Sequence, residues 1–129
     1  MAEHLEVIID TDILIKAYRG DSINIANLKL LKGSYCISVM SAVELIAGSK
    51  NIKQFTSLNK VLRVYPIIHF DESISKMAFK VYKDYILSHS PKLFDCLIAA
   101  TALNKKFLIY TDNKKDFNFI EGIKFYKEK

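Results

Sequence analysis

Carboxylates follow several short apolar runs of this sequence, at the positions where buried strands would end. The acids concerned are Asp10 and Asp12 after residues 7–9, Asp71 after residues 64–68, and Asp112 and Asp116 after residues 107–110. In an open parallel sheet, ligands bind outside the carboxyl ends of the strands. Carboxylate oxygens are also the ligands that Mg²⁺ prefers. The pattern therefore predicts an acidic, metal-binding site at one edge of a sheet.

Two further acids, Glu44 and Asp95, lie within segments that are otherwise apolar. On a helix, Asp95 would share a face with Ile98 and Ala99, three and four positions onward. An unpaired buried carboxylate is costly, so this position predicts a compensating cation. A metal ion shared with Asp10 would provide the missing positive charge.

Such a set of carboxylates suits the hydrolysis of a phosphodiester. The reaction needs a nucleophilic water and a stabilised leaving oxygen, and one or two Mg²⁺ ions can provide both. Mg²⁺ keeps several of its waters when it binds, so three or four carboxylates suffice. Because crowded carboxylates resist simultaneous ionisation, we expect the site to be unstable without its metal.

Each of these acids also has a structural interpretation that requires no ligand. The interpretations are capping of the first helix by Asp10 and Asp12, a capping box of Ser41 with Glu44, the helix dipole for Asp95, and turns for Asp112 and Asp116. They explain the acids one at a time, whereas a metal site explains all of them together.

Length and composition indicate one globular domain spanning residues 1–129. Half of the residues (50%) are hydrophobic, which is enough for one core. No apolar run reaches the roughly 18 residues of a membrane span, and the N-terminus does not resemble a signal peptide. Cys36 and Cys96 lie among apolar residues, which favours buried free thiols and a cytoplasmic location.

The net charge is +5, from 19 basic and 14 acidic residues. If four carboxylates are gathered in one site, the remaining surface carries 19 basic residues against ten acidic ones. A cationic surface around an acidic pocket suits a nucleic-acid backbone that approaches a metal ion.

Strands and helices alternate along the chain. Apolar runs predict strands at residues 7–9, 35–37, 64–68, 107–110 and 123–126. Helical spacing predicts helices from residue 13 to near 20, at 23–31 with Gly33 as the stop, from a capping box at Ser41 to Gly48, at 52–62, from Asp71 to about 87, and at 92–104 behind Ser90 and Pro91. This alternation predicts an α/β fold with a mostly parallel sheet of four to five strands, covered on both faces.

Four segments, in order along the chain, resemble the motifs of PIN-domain proteins. Residues 7–15 look like their opening strand motif, and residues 41–48 resemble their Ser-x-x-x-x-Glu-Leu-x-x-Gly motif with one residue fewer before the Glu. Residues 95–102 closely match their Asp-x-x-Ile-Ala-Ala-x-Ala helix, and residues 111–117 resemble their final Thr-x-Asn-x-x-Asp-Phe segment. The short length is similar to that of the VapC toxins of bacterial and archaeal toxin–antitoxin pairs.

This resemblance implies a three-layer α/β/α fold and Mg²⁺- or Mn²⁺-dependent cleavage of RNA. It further implies a homodimer and inhibition by a small antitoxin protein whose tail enters the acidic groove. An open reading frame for a small protein beside the gene would support the toxin role.

The resemblance also implies roles for individual residues. Asp10 and Asp95 would be the main metal ligands, with Glu44 as a third acid and Asp116 as the fourth. Asp112 is the alternative to Asp116, one helical turn away. The supporting residues would be Asp12, which stands where many relatives have Asn, the hydroxyls of Thr11 and Thr111, and Asn113.

A haloacid-dehalogenase-like phosphatase is an alternative enzyme class. It too has an Asp-x-Asp pair after a strand, as at Asp10 and Asp12. However, it expects Thr or Val where Leu14 stands, and it gives Glu44 and Asp95 no role.

A phospho-accepting receiver domain, which is a signalling module and not an enzyme, is a second alternative. Asp71 would be its phosphate acceptor. Such a domain needs a Lys after the last strand, and Lys127 is only a loose match. A PIN fold that binds RNA without cleaving it is a third alternative, which the presence of all four acids disfavours.

Overall fold

The structure, a computed structural model, describes residues 6–31 and 34–127. A parallel sheet of four strands, in the order β3-β2-β1-β4, forms its centre. The strands are β1 (Val7–Ile9), β2 (Tyr35–Ser38), β3 (Ile67–Ile68) and β4 (Leu108–Tyr110). The predicted α/β class with a parallel sheet is confirmed.

Helices cover both faces of this sheet. They are α1 (Thr11–Tyr18), α2 (Ser22–Leu30), α3 (Val39–Ala47), α4 (Ile52–Leu62), α5 (Glu72–His89) and α6 (Leu93–Lys105), followed by a 3₁₀ turn at Lys114–Asp116. Alternation along β1 separates the two cores, because Val7 and Ile9 pack with α1, α3 and α4 whereas Ile8 packs with α5 and α6. Three layers result, as the resemblance implies.

The central position of β1 brings distant parts of the chain together. β1 pairs with β2 on one side and with β4 on the other, and the backbone N–H of Asp10 donates to the Tyr110 carbonyl at 2.9 Å. The segments that follow β1 and β4 therefore leave the sheet side by side at its carboxyl edge.

Two predicted strands differ from the structure. The third was expected at residues 64–68, but β3 contains only Ile67 and Ile68. Pro66 has no N–H to donate to a ladder, although its carbonyl accepts from Ile37 N at 2.9 Å. The fifth, at residues 123–126, is reduced to an isolated parallel bridge between Phe125 and Ile109.

Two predicted helix starts are wrong. Helix α3 begins at Val39, capped by Ser38 Oγ, so Ser41 lies inside the helix and forms no capping box with Glu44. Ser90 does not cap α6; it ends α5 in the left-handed conformation, with φ 44°, and α6 begins at Leu93. The expected stop of α2 at Gly33 lies outside the described residues.

The two cysteines, Cys36 and Cys96, are free and buried, as predicted. Burial raises the pKa of Cys36 to about 12, so its thiol stays protonated. Within residues 6–31 and 34–127, the helices include none with the length and apolarity to cross a membrane.

Candidate active site

Asp10 stands directly at the carboxyl end of the central strand and is only 7% exposed. It is the N-cap of α1, and its Oδ1 accepts from the backbone N–H of Thr11 at 2.8 Å. Its Oδ2 accepts from the hydroxyl of Thr111 at 2.9 Å, and Thr111 Oγ1 in turn accepts from Asn113 N at 3.0 Å. The carboxylate is thus held at both oxygens, by the first residue of α1 and by the segment after β4. Asp10 can therefore cap α1 and also belong to the acidic site.

Asp12 connects the same two segments. Its Oδ1 accepts from Ile13 N at 2.8 Å, and its Oδ2 accepts from Asp112 N at 3.1 Å and from the side-chain amide of Asn113 at 3.0 Å. These bonds join the first turn of α1 to the loop after β4. Asn113 therefore supports the site through Asp12, which the sequence alone does not reveal.

Glu44 is oriented by hydroxyls. The Thr11 hydroxyl lies 2.9 Å from Glu44 Oε1 and 2.9 Å from Ser41 Oγ. A hydroxyl has one proton to donate, and a carboxylate can only accept. Thr11 therefore donates to Glu44, and Ser41 donates to Thr11. Ser41 lies one helical turn before Glu44 and is fully buried, so its role is to position this carboxylate rather than to cap the helix.

Asp95 projects from the first turn of α6, on the face that carries the buried Ile98 and Ala99. The prediction that it shares a face with core residues is confirmed. Burial raises the pKa of Asp95 to about 6, and repulsion by Asp116 contributes further. The first turn of a helix favours a carboxylate, but here burial and neighbouring charges outweigh that effect.

The pKa of Asp10 is raised further than that of Asp95. Burial raises the pKa of Asp10 to about 7, with repulsion from Asp12 as the second cause. The bonds from Thr111 and Thr11 lower it only in part. Burial also raises the pKa of Asp12. Within the described chain, no Lys or Arg forms an ion pair with any of these three carboxylates.

Asp112 and Asp116 have different surroundings. Asp112 is exposed, and its Oδ2 lies 2.7 Å from Lys16 Nζ in an ion pair. Asp116 is half-buried in the 3₁₀ turn, and its charge acts on Asp95. The Lys16–Asp112 pair joins residues 96 positions apart, and no local sequence pattern indicates it.

Asp71 lies apart from this arrangement. It caps α5, accepting from Ile74 N at 2.8 Å, and its Oδ2 is 3.8 Å from Lys105 Nζ. Because it follows the edge strand β3, two strands away from β1, it does not join the acids that follow β1 and β4.

The family model of the PIN domain matches residues 7–121. This chain belongs to the PIN domain family. Ribonuclease VapC1 of Methanocaldococcus jannaschii is 33% identical to it over an alignment of 129 residues, which covers 96% of this chain and 89% of the relative. The resemblance drawn from the four sequence motifs is therefore confirmed.

Solved structures show the same fold. A chain of a toxin–antitoxin complex from Klebsiella pneumoniae aligns with a TM-score of 0.79 at 27% identity, covering 92% of this chain and 95% of that one. A chain of the DNA-bound VapBC from Salmonella typhimurium aligns with a TM-score of 0.84 at 21% identity, covering 95% of this chain and 97% of that one.

Membership of the PIN domain family removes the two alternative classes. A haloacid-dehalogenase-like phosphatase would have no role for Glu44 and Asp95. In this chain, which matches the PIN domain, both lie near other acids of the site. The phosphate acceptor of a receiver domain would have been Asp71, whose carboxylate is occupied in capping α5.

The donor set of this PIN domain fits a hydrated divalent cation. In the part of the chain that the structure describes, no three His, Cys, Asp or Glu side chains are grouped tightly enough to hold one ion. The acids are nevertheless close enough for Asp116, Glu44 and Asp12 each to raise the pKa of Asp95. Mg²⁺ binds through one or two carboxylates and keeps several waters, so it does not require a closed protein cage.

The repulsion at Asp95 has a consequence for stability. The folded-state pKa of about 6 lies above the ordinary value of an aspartate, 3.8, so the ionised carboxylate disfavours folding. We expect Asp95→Asn to stabilise the protein in EDTA at pH 8 by on the order of 1 kcal/mol, allowing for partial exposure. The gain should shrink as the pH falls through 6 towards 4, because wild-type Asp95 then becomes neutral. Urea unfolding at several pH values measures it.

Glu72→Gln is the matched control, because Glu72 also lies in the first turn of a helix but pairs with Lys76 at the surface. The free energy of unfolding of Glu72→Gln should fall by a few tenths of a kcal/mol at pH 8, because the variant loses a favourable interaction with the helix dipole. An Asp95→Asn protein that is no more stable than wild type at pH 8 would contradict the electrostatic account of the site.

Proposed function

We propose that this PIN domain is a metal-dependent endoribonuclease and the toxin of a toxin–antitoxin pair. The observation that carries the proposal is the convergence of acids from four chain segments, which follow β1 and β4 or lie in α3 and α6. Burial raises the pKa of Asp10 and of Asp95, and the neighbouring acids raise both further. The relative at 33% identity, which is named a ribonuclease, supports the reaction and the substrate. We propose that the protein acts in the cytoplasm.

The residues that would hold the cation are Asp10, Asp95, Glu44 and Asp116. We propose Mg²⁺ as the natural ion, with Mn²⁺ as a substitute. When bound, the ion supplies Lewis-acid activation of water and phosphate. Thr111 fixes the Asp10 carboxylate and Thr11 fixes Glu44, so their oxygens are oriented before any ligand arrives.

The protons on Asp10 and Asp95 are part of this mechanism. With pKa values of about 7 and about 6, both carboxyls are partly protonated near neutral pH in the absence of a cation. Both must lose their protons before they can act as ligands. The cation would therefore offset the repulsion among the acids, which the side chains of the site leave in place.

The chain's Lys residues provide phosphate contacts around the site. Lys92 lies near enough to lower the pKa of Asp95, and Lys50 lies beside Glu44. The ammonium of Lys114 lies 5.9 Å from the centre of the Phe125 ring. Lys binds phosphate as a mobile point charge without reading bases, which suits a substrate recognised by shape and single-stranded loops.

The partner of this toxin would be a small antitoxin protein. Support comes from the Klebsiella pneumoniae structure, a toxin–antitoxin complex whose matched chain is 27% identical to this one. An adjacent reading frame whose product binds this chain and stops cleavage would establish the pair. A chain that is equally active with or without that product would not be such a toxin.

Loss of the acids tests the catalytic site. We expect wild-type protein to cleave single-stranded RNA in Mg²⁺ or Mn²⁺ and to stop in EDTA. Asp10→Asn and Asp95→Asn should each lower the cleavage rate by more than about 100-fold, because each removes a metal ligand.

Asp71→Asn is the control for these variants, since Asp71 also follows a strand but only caps α5, and Asn caps a helix equally well. Its rate should match that of wild type. Cleavage that persists in EDTA would exclude the metal mechanism, and wild-type rates in both site variants would exclude the assigned site.

The fourth acid can be distinguished in the same assay. Asp116→Asn should lower the rate by more than about tenfold, because Asp116 is the acid that acts most strongly on Asp95. Asp112→Asn should change it by less than about threefold, since Asp112 is engaged with Lys16 in an exposed ion pair. The reverse order of effects would transfer the role to Asp112.

We further propose a homodimer. The apolar side chains of Val43, Leu93 and Phe94 are 53%, 56% and 45% exposed, although they neighbour Glu44 and Asp95 in sequence. A second copy would cover them. We expect wild-type protein to have the mass of a dimer in light scattering and Phe94→Ser to shift it towards the monomer. A monomeric wild-type protein at micromolar concentration would refute the proposal.

A further inference from the structure

A groove opens beside Glu44, between helices α1, α3 and α4. Its volume is about 280 Å³, and Ile15, Leu45 and Leu58 provide the apolar part of its lining. This volume lies near the lower end of the range for small-molecule sites, so it suits a group of the size of one nucleotide. The apolar side chains of this groove take no part in the hydrogen bonds that orient the acids.

Two cations lie along the groove without an acidic partner. Arg19 is the C-cap of α1, and Lys50 lies in the loop between α3 and α4. Among the described residues, neither forms an ion pair, although the exposed acids Asp112, Glu72, Asp84 and Asp71 each pair with a Lys. Unpaired cations beside an apolar groove complement a ligand with both phosphates and a flat apolar group.

The lining of the groove is fixed before any ligand binds. Gln54 Oε1 accepts from Lys50 N at 2.8 Å, while Gln54 N donates to Asn51 Oδ1 at 2.9 Å. On the opposite side, the Tyr18 hydroxyl donates to Ser57 Oγ at 3.1 Å, and the side chain remains 39% exposed. An anchored aromatic ring with exposed surface is a stacking platform for a nucleobase.

We propose that this groove binds the nucleotide next to the scissile phosphodiester of the RNA. Its base stacks on Tyr18 above the apolar lining, and its flanking phosphates contact Arg19 and Lys50. The inference rests on the proposed function, because it places the RNA by its distance from Glu44. It makes Tyr18 and Arg19 binding residues, and it predicts that one base position of the substrate is held by stacking.

The test compares RNA oligomers that carry one abasic nucleotide, scanned along the positions around the cut, under single-turnover conditions in Mn²⁺. In wild-type protein, we expect one abasic position beside the cut to raise the half-saturating concentration about tenfold. In Tyr18→Leu, that penalty should disappear, because the stacking partner is already missing. Tyr18→Phe retains the ring and should retain the penalty.

The cations are tested by the salt dependence of the half-saturating concentration. Arg19→Gln and Lys50→Gln should each weaken binding and lower the slope against the logarithm of salt concentration by about 0.7, the value for one phosphate contact on a single strand. Arg63→Gln is the matched control, since Arg63 is also an arginine at a helix C-cap and lies outside the groove.

The outcomes separate this inference from the proposed function. If wild-type protein does not cleave RNA, both fail. If it cleaves and the groove variants equal Arg63→Gln in binding, salt slope and abasic penalty, the inference alone is wrong. If the variants bind RNA normally but lose inhibition by the antitoxin, the groove belongs to the protein partner and the inference is likewise overturned.

Discussion

The burial of Asp10 at the end of the central strand is the constraint on which the rest of this site depends. A carboxylate that is 7% exposed and surrounded by other acids cannot be ionised without cost, and its pKa of about 7 expresses that cost. Among residues 6–31 and 34–127, Thr111 and Thr11 supply hydroxyl and amide donors to this carboxylate, and no Lys or Arg forms an ion pair with it. This environment supports the proposal that a divalent cation supplies the positive charge.

The side chains that orient Asp10 and Glu44 are neutral hydroxyls, and this has a physical consequence. Thr11, Ser41 and Thr111 fix the directions of Glu44 and Asp10 without changing the charge of the site. A lysine at any of these positions would hold a carboxylate equally firmly. Its positive charge would also offset the negative charge of the acids, and so it would compete with a divalent cation for them. Hydroxyl donors keep the acids in place while the repulsion among them persists.

The sequence predicts correctly where Asp10 and Asp95 lie in the fold, while their role in binding a metal stays a prediction. Asp10 is predicted because it directly follows a buried strand. Asp95 is predicted because it is a charged residue on a helix face whose other residues are apolar. Ser41 was misread as a helix cap, since a Ser three residues before a Glu is compatible with a capping box in sequence, and only the true start at Val39 decides between the two. Contacts across 100 positions, such as that of Asp12 with the amide N–H of Asp112, depend on strand order, which local periodicity does not encode.

The same strand order explains why an acidic site and a basic groove can adjoin without neutralising each other. Asp10, Asp12, Asp112 and Asp116 follow β1 and β4, which are neighbours in the sheet, whereas Arg19 and Lys50 follow α1 and α3, at the far ends of those helices. Glu44 lies in the last turns of α3, so it belongs to both regions: Thr11 holds it beside the acids, and its flank lines the groove. Arg19 is thus separated from Asp10 and Asp12 by the length of α1. In the proposed complex, an RNA chain would contact Arg19 and Lys50 while one of its phosphates reached the acids through a divalent ion.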